Sequence, residues 1–504
     1  MKQQNPLPSH VDCLIIGGGI NGTAIAADAA GRGLSVLLCD KNDLGSGTSN
    51  WSTKLIHGGL RYLEQYNFKQ VRGALIERDI LLQRAPFIVK PMAFILPHEP
   101  HLRPRWMIRA GLFLYDHLAR SRYIPTSRGI RLDHKDPTQP LRDHCQRGFR
   151  YYDCQTDDHR LVILNALSAK QHGAHIRPHT AVERAQGEEN VWEVDIRGQD
   201  NKIHTVYARA LINASGPWMN ENLDQRIQST STDRVTLIQG SHIVVNKLYP
   251  QPHAYLLQIA DGRIIFTIPF HHQFTLIGTT DTPFQGQPEN AHITTEEEAY
   301  LLEHTNRYFK NNITVNDIVW RYSGLRALYS SDKENPANIT REYTLTLNTT
   351  NHPPLLNVLG GKLTTHRRLA EDAMERLRPF FSHMGESWTA NHPLPGGDIT
   401  GNLHHFETTC QETYPWLSTP LIQYYINQYG SRIHLLLTGC SSMQDLGQHF
   451  AGTCYAQEID YLREHEWASH GDDILWRRTK HGLSMSHDEK TIVKNYCKQK
   501  NHEA

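Results

Sequence analysis

Three glycines near the N-terminus are spaced so that a phosphate group could lie against the main chain. Gly17, Gly19 and Gly22 follow an apolar strand and open an alanine-rich helix. The first glycine permits a tight turn, the second lets a pyrophosphate approach, and the third lets the helix pack on the strand. The N-terminus of the helix adds unpaired N–H groups and a partial positive charge. This G-x-G-x-x-G pattern therefore predicts a dinucleotide site.

An acidic residue stands where the second apolar strand ends. Residues 34–39 run directly into Asp40, at the position where a carboxylate accepts hydrogen bonds from an adenosine ribose. A carboxylate there disfavours a 2′-phosphate, so FAD and NAD are favoured over NADP. The choice between these two depends on motifs further along the chain.

Residues 44–68 form a loop rich in serine, threonine and glycine, followed by Lys54, His57, Arg61 and Tyr62. Such a loop beside a cofactor phosphate can enclose a flavin through backbone and hydroxyl donors. The planar guanidinium of Arg61 suits a phosphate or a carboxylate. A plain polar loop followed by an amphipathic helix is the alternative interpretation.

A further strand–glycine–helix passage lies at residues 354–377. Gly360 and Gly361 bring the main chain close to a neighbour, Lys362 adds a cation, and we expect Thr364 or Thr365 to cap the helix. A helix N-terminus directed at the N1/C2=O edge of an isoalloxazine would stabilise a reduced, anionic flavin. An ordinary turn between a strand and a helix is the alternative.

Residues 103–124 combine five arginines with several aromatic and aliphatic side chains. A basic amphipathic helix with aromatics is typical of a protein segment that lies in a membrane interface. A helix packed on the protein's own core, with solvated arginines, is the equally weighted alternative.

The composition excludes several classes of protein. Lysine plus arginine and aspartate plus glutamate both number 52, so no global charge indicates nucleic acid. The eight cysteines form no regular framework, which favours a reducing, cytosolic compartment. The histidines lack the spacing of a metal site, and we expect no metal. No apolar segment approaches 18 residues, so we expect no spanning helix.

The remaining patterns predict an α/β fold (α+β, multidomain) in which the dinucleotide domain is discontinuous. Strands near residues 179–213 return to the cofactor, and alternating strands at 235–283 predict an antiparallel sheet above a pocket. The predicted segments are 1–90, 151–230 and 346–390 for the dinucleotide domain, 91–150 for a substrate or membrane-associated segment, 231–345 for the antiparallel sheet, and 391–504 for a helical cap domain.

Several motifs together resemble the FAD-dependent, quinone-linked (aerobic) glycerol-3-phosphate dehydrogenases. The most specific are KLIHGGLRYLE at 54–64 and GGKLTT at 360–365, supported by HEWASHGDDILWRRTKHGL at 465–483. The family often has glutamate where Asp40 stands here, an equivalent ribose acceptor. The resemblance covers nearly the whole chain.

This resemblance implies a fold like D-amino-acid oxidase and the oxidation of sn-glycerol 3-phosphate to dihydroxyacetone phosphate. It implies FAD as cofactor, ubiquinone as electron acceptor, a homodimer, and peripheral attachment to the cytoplasmic face of the inner membrane. An oxidase that passes electrons to oxygen is the closest alternative. A non-catalytic flavoprotein that binds RNA is disfavoured by the balanced charge.

The resemblance also implies site residues, carried over by motif. The substrate pocket would contain Arg61, Tyr62, Arg326, Arg341, Lys362 and Thr364. The cofactor would contact Gly17, Gly19, Ile20, Asn21, Gly22, Asp40, Lys41, Thr48, Ser49, Ser52, Lys54, Leu55, His57, Gly58, Ala214, Gly216, Gly361, Lys362, Leu363 and Thr364. Our hypothesis is that His57 or His242 accepts the C2 hydroxyl proton while Arg326 orients that hydroxyl. The alternative is that both histidines only hold the flavin or a loop.

Overall fold

The structure is a computed structural model that describes residues 6–99, 103–329 and 342–502. Its strands, in chain order, are β1 (His10–Ile16), β2 (Val36–Cys39), β3 (Leu55–Ile56), β4 (Lys90–Pro97), β5 (Arg128–Arg131), β6 (Arg147–Gln155), β7 (His175–Arg177), β8 (Ala181–Glu188), β9 (Val191–Arg197), β10 (Ile203–Asn213), β11 (Val235–Asn246), β12 (Ala254–Gln258), β13 (Ile264–Phe270), β14 (Phe274–Gly278), β15 (Thr282–Pro283), β16 (Ile318–Tyr329), β17 (Thr344–Asn348), β18 (Leu355–Leu359), β19 (His449–Ala451) and β20 (Cys454–Tyr455).

The helices of the described residues are α1 (Ile20–Gly31), α2 (Phe68–Arg84), α3 (Arg105–Leu118), α4 (Asp158–Gln171), α5 (Met219–Gln225), α6 (Thr295–Tyr308), α7 (His366–Leu377), α8 (Leu403–Thr413), α9 (Thr419–Tyr429), α10 (Ile433–Leu436), α11 (Ala456–His465) and α12 (His487–His502). None of the helices in these ranges combines the length and apolar composition needed to cross a bilayer.

The dinucleotide sheet has the order β17-β18-β10-β1-β2-β7, with β9 and β8 extending from β10. Strand β1 is parallel to both neighbours, so Ile16 pairs with Cys39 on one side and Asn213 on the other. The carboxyl ends of these strands therefore meet at one edge, where the chain continues into Gly17, Asp40 and Ala214. This arrangement is the one expected of a doubly wound sheet with a ligand at its carboxyl edge.

Helix α1 covers this sheet because its small side chains allow close contact. Ala24, Ala26, Ala27 and Ala29 are all buried in a core shared with α4 and α7. The helix has no polar face, as expected for an element covered on all sides.

The second sheet has the order β15-β11-β14-β13-β12-β4-β6-β3, with β16 beside β11 and β5 beside β6. Its long pair β11 and β16 is antiparallel, which places Ile238 opposite Arg326 and His242 opposite Tyr322. The α/β class is thus confirmed, and strands β11 to β14 pair in antiparallel fashion, whereas β12 joins β4 in parallel.

Three strands depart from the predicted segments. Strand β3 belongs to the second sheet although it lies within 1–90, and β6 continues that sheet across the boundary at 150. Strand β17 lies in the dinucleotide sheet and crosses the boundary at 345. Short strands leave one sheet for the other without a change in composition, so the pattern of residues did not reveal these crossings.

The cap domain has its own apolar core, formed by α8 to α12 and the small hairpin of β19 and β20. Buried ion pairs join it to the dinucleotide domain. Arg478 bonds to Asp43, and Arg160 of α4 bonds to Glu466 through two hydrogen bonds. The segment 465–483 therefore docks on the dinucleotide domain.

Candidate active site

A cavity of about 1260 Å³ lies between the carboxyl edge of the dinucleotide sheet and the second sheet. It brings together most of the predicted site residues. Those in its wall are Gly17, Gly19, Ile20, Asn21, Asp40, Lys41, Thr48, Ser49, Ser52, Leu55, His57, Arg61, Tyr62, Ala214, Gly216, His242, Arg326, Gly361, Lys362, Leu363 and Thr364. Gly22, Lys54 and Gly58 lie outside the wall, and Arg341 lies outside the described residues.

The glycine turn has the geometry that its spacing predicted. Gly17 has φ +108°, and a Cβ on it would lie 2.6 Å from the carbonyl oxygen of Ala214. A Cβ on Gly22 would lie 1.9 Å from the carbonyl oxygen of Gly17, so only glycine lets α1 start this close to β1. Gly22 therefore allows the close packing of α1 on the turn and lies outside the wall of the cavity.

Asp40 lies in the cavity wall with its carboxylate partly engaged. The amides of Gly18 and Asn42 donate to its two oxygens at 2.7 and 2.8 Å. Burial raises the pKa of this carboxyl to about 6, although the two amide hydrogen bonds act in the opposite direction. Its predicted contact with a ribose is additional to these bonds.

The loop after β2 is fastened to the second sheet and to the start of α1. The hydroxyl of Thr48 donates to the carbonyl of Leu325 at 2.6 Å, and the hydroxyl of Ser49 accepts from the amide of Ile20 at 3.0 Å. These contacts hold the polar loop against the wall of the cavity and satisfy one N–H at the start of α1.

Lys54 and Ser52 hold a carboxylate of α4. The ammonium of Lys54 donates to Asp158 at 2.7 Å and to the carbonyl of Asn50 at 3.0 Å. The hydroxyl of Ser52 donates to the other oxygen of Asp158 at 2.7 Å. A buried ammonium with these partners braces the loop, and the contact of Lys54 with the cofactor stays a prediction.

The motif at 54–64 and the motif at 360–365 meet at His57. The hydroxyl of Thr364 accepts from the His57 amide at 3.1 Å, and the Nζ of Lys362 lies 3.9 Å from the centre of the Tyr62 ring. Thr364 is therefore tied to the opposite loop, and neither Thr364 nor Thr365 caps α7 with its side chain. Arg61 is exposed in the same wall and forms no ion pair within the described ranges.

Arg326 is held in place by groups that the sequence did not single out. Its Nη1 bonds to Asp281 at 2.5 Å, and its Nη2 donates to the hydroxyl of Thr279 at 3.1 Å. A Cβ on Gly240 would lie 2.4 Å from Nη2, so the guanidinium occupies space that only a glycine leaves open. Residues 239–245 (QGSHIVV) contain Gly240, and residues 277–282 (IGTTDT) contain Thr279 and Asp281. These two motifs were the signal in the sequence that could have identified them.

His242 is buried in the same wall and strongly constrained. Its Nε2 shares a hydrogen bond of 3.0 Å with the hydroxyl of Thr53, and its ring stacks on Tyr322 with centroids 4.8 Å apart. Burial, followed by the positive charges of Arg326 and Lys54, lowers the pKa of His242 well below its ordinary range. The ring is therefore neutral and resists protonation.

Comparison with known proteins decides the family. A model of the FAD dependent oxidoreductase family matches residues 12–367. This chain belongs to that family. A second model, the C-terminal domain of alpha-glycerophosphate oxidase, matches residues 387–499, which is most of the cap domain. FAD is therefore the cofactor, and the glycine turn, the loop at 45–53 and the 1260 Å³ cavity fit it.

The relatives share nearly the full length of this chain. A glycerol-3-phosphate dehydrogenase of Pseudomonas aeruginosa is 49% identical over 97% of this chain and 96% of its own. A D-erythritol 1-phosphate dehydrogenase of Brucella abortus is 44% identical over 96% of this chain and 97% of its own. The crystal structure of a glycerol-3-phosphate dehydrogenase from Bacillus halodurans complexed with FAD is 25% identical, with a TM-score of 0.74 over 97% of this chain and 94% of its own.

Proposed function

We propose that this protein oxidises sn-glycerol 3-phosphate to dihydroxyacetone phosphate and passes the electrons to ubiquinone at the membrane surface. The observation that carries the proposal is the meeting of Arg61, Lys362 and Arg326 with His57 in the wall of the cofactor cavity. A phosphate carries up to two negative charges, and several cations in one wall suit it better than they suit a single carboxylate.

The reaction removes a hydride from C2 and a proton from the C2 hydroxyl. FAD, when bound, supplies the isoalloxazine ring that accepts the hydride. Arg61 and Lys362 bind the phosphate, while Arg326, held by Asp281 and Thr279, donates hydrogen bonds to the substrate oxygen at C2. The rigid seat of Arg326 keeps that donor oriented.

Of the two histidines, His57 is the better proton acceptor. His242 is enclosed by Tyr322 and Thr53 and faces two positive charges, which disfavour its protonated form. His57 lies at the partly exposed wall, and its main chain is fixed by Thr364. A general base must gain a proton in the reaction, so we assign that role to His57 and a supporting role to His242.

Membrane attachment is supported by one face of α3. Trp106, Met107, Phe113 and Leu114 are between 42% and 71% exposed, and they form two adjacent pairs about two turns apart along this face. Ile108, Leu112 and Tyr115, on the opposite side, are buried. Exposed aromatic side chains beside arginines are typical of a helix that lies in a lipid interface. We propose that this α3 face contacts the cytoplasmic side of the inner membrane; the homodimer is proposed on the resemblance alone.

Two related activities compete with this proposal. An oxidase would pass the electrons to oxygen and form hydrogen peroxide, and the match of the cap domain to an oxidase family keeps it in view. A dehydrogenase of a four-carbon polyol phosphate is favoured by the Brucella relative, which at 44% identity is nearly as similar to this chain as the 49% identical Pseudomonas relative. Both use the same cations and the same base.

The decisive experiment follows the flavin absorbance of the purified holoprotein without oxygen. Addition of sn-glycerol 3-phosphate should bleach the flavin rapidly, and a soluble ubiquinone analogue should restore the colour much faster than air does. Rapid reoxidation by air, with hydrogen peroxide formed, would establish the oxidase. Faster bleaching by D-erythritol 1-phosphate at equal concentration would assign that compound as the substrate. No bleaching by either would exclude the proposed reaction.

A further inference from the structure

A buried hydrogen-bond chain links α3 to the loop that carries His57. The amide of Gly58 donates to the hydroxyl of Tyr115 at 2.8 Å. That hydroxyl donates in turn to Asp153, 2.8 Å from both carboxylate oxygens. Arg78 of α2 donates to the same carboxylate at 3.0 Å. Tyr115, Asp153 and Arg78 are each at most 4% exposed.

This hydrogen-bond chain joins residues of four separate elements. Gly58 follows β3, Tyr115 belongs to α3, Asp153 to β6 and Arg78 to α2. Burial raises the pKa of Asp153 to about 6, while Arg78 and the Tyr115 hydroxyl lower it. A buried carboxylate needs such donors, because an unpaired charge away from water is costly. The Tyr115 hydroxyl is therefore fixed by its hydrogen bonds to Asp153, and it in turn accepts a hydrogen bond from the Gly58 amide.

Gly58 lies in the chain between residues that we place at the substrate. His57 precedes it, and the 3-10 turn Leu60–Gln65, with Arg61 and Tyr62, follows after Gly59. Gly59 has φ +75°, and a Cβ on it would lie 2.4 Å from the Tyr62 ring. The chain turns sharply here, so a shift of the Gly58 amide would displace His57 and Arg61 together.

Gly58 fits against Tyr115 with no room to spare. A Cβ on Gly58 would lie 2.7 Å from the Tyr115 hydroxyl oxygen and 2.6 Å from a methyl group of Leu75. Tyr115 itself lies outside the wall of the cavity.

We propose that Tyr115 is a positioning residue of the reaction: its hydroxyl, fixed by Asp153, holds the Gly58 amide and thereby sets His57 and Arg61 in place. The effect of Tyr115 on the reaction rests on the proposed function. The hold on the loop can be measured without substrate.

The test compares Tyr115→Phe with Tyr249→Phe. Tyr249 provides a matched control, because its buried hydroxyl also donates at 2.8 Å, to the carbonyl of Thr267, and neither residue lies in the cavity wall. Both variants should keep their FAD. In Tyr115→Phe alone, backbone amide exchange of the peptide 55–66 should quicken, and the limiting rate of anaerobic flavin reduction should fall about tenfold or more.

A second pair of variants tests the same contact from the side of Gly58, in case Tyr115→Phe disturbs the fold. Gly58→Ala should push the amide away from Tyr115 and lower the same limiting rate. Combined with Tyr115→Phe it should cost little more, because both changes break one contact. Additive losses would count against the contact.

The outcomes separate the two proposals. Unchanged exchange at 55–66 in Tyr115→Phe, or quicker exchange with the limiting rate of the wild type, would overturn the role of Tyr115. A loss confined to KM would do the same, since displacement of His57 must slow the chemical step. If the wild-type flavin is not bleached, the proposed function fails, while the exchange data still decide whether Tyr115 holds the loop.

Discussion

Gly240 and Arg326 share one space in the wall of the cavity, where a Cβ on the glycine would lie 2.4 Å from the Nη2 atom of the arginine. The two residues lie on the neighbouring strands β11 and β16. Arg326 can therefore reach Asp281 and Thr279 only while position 240 has no side chain.

We expect Gly240→Ala to displace the guanidinium and to lower kcat/KM for glycerol 3-phosphate by about tenfold to a hundredfold, because a charged hydrogen bond to the substrate is lost. The FAD content should not change. Gly129→Ala is the control, since this glycine lies in β5 of the same sheet and nothing lies within 4 Å of its added Cβ. Equal kinetics for both variants would contradict the seat assigned to Arg326.

The assignment of the base is tested by replacing each histidine with alanine. His57→Ala should slow flavin reduction by about 10²- to 10⁴-fold, the usual contribution of a positioned general base. His242→Ala should have a smaller effect, because its pKa is held well below the ordinary range by burial and by Arg326. Rapid single-turnover reduction of the flavin measures both. The opposite order would give the base role to His242, and an intact rate in both would remove it from either.

The ion pair between α4 and the cap domain should contribute strongly to stability. Arg160 and Glu466 have fully buried side chains, so Glu466→Gln leaves a buried guanidinium without its countercharge. We expect a loss of about 3–5 kcal/mol, seen as a lower Tm of the holoprotein. Asp224→Asn breaks the exposed pair with Arg234 and should change Tm little.

The same pair has a defined pH dependence. Burial alone would raise the pKa of Glu466, but attraction to Arg160 more than offsets this, so the pKa lies below the ordinary value of 4.5. A carboxyl with a lowered pKa stabilises the folded state above its unfolded pKa, and the contribution disappears as the pH falls through the folded pKa. The Tm difference between wild type and Glu466→Gln should therefore be full at pH 7 and shrink below about pH 4.5. A difference that does not vary with pH would contradict it.

The α3 face is tested by its affinity for lipid. Trp106→Ser combined with Phe113→Ser removes two exposed aromatic rings, each contributing about 1.5–3 kcal/mol when buried. Sedimentation with anionic phospholipid vesicles should show binding reduced at least tenfold, while flavin reduction by soluble substrate stays the same. The control is Val315→Ser with Ile492→Ser, two exposed apolar residues outside this face. Equal binding by both double variants would remove α3 from the membrane contact.

The site was predictable in parts that depend on neighbours in sequence. Gly17 and Gly22 act within one turn of chain, so their spacing alone predicted the approach of α1 to β1. The motif around His57 and the motif around Thr364 were both recognised, yet their contact joins residues 307 apart. Lys54 was placed on the cofactor because it lies in the right motif, but the motif did not show that its ammonium bonds to Asp158, 104 residues away.

The sequence by itself determined a dinucleotide-binding fold and the residue types at the cavity, because periodicity, glycine spacing and turn chemistry are local properties of the chain. Its longer motifs, through their resemblance to a family, implied FAD. Only the tertiary structure decided which charges are paired and which are available. Arg326 forms an ion pair with Asp281. His242 is buried and hydrogen-bonded to Thr53, whereas Arg61 is exposed in the wall of the cavity. These differences follow from burial and from partners distant in sequence, and both arise only when the two sheets pack together.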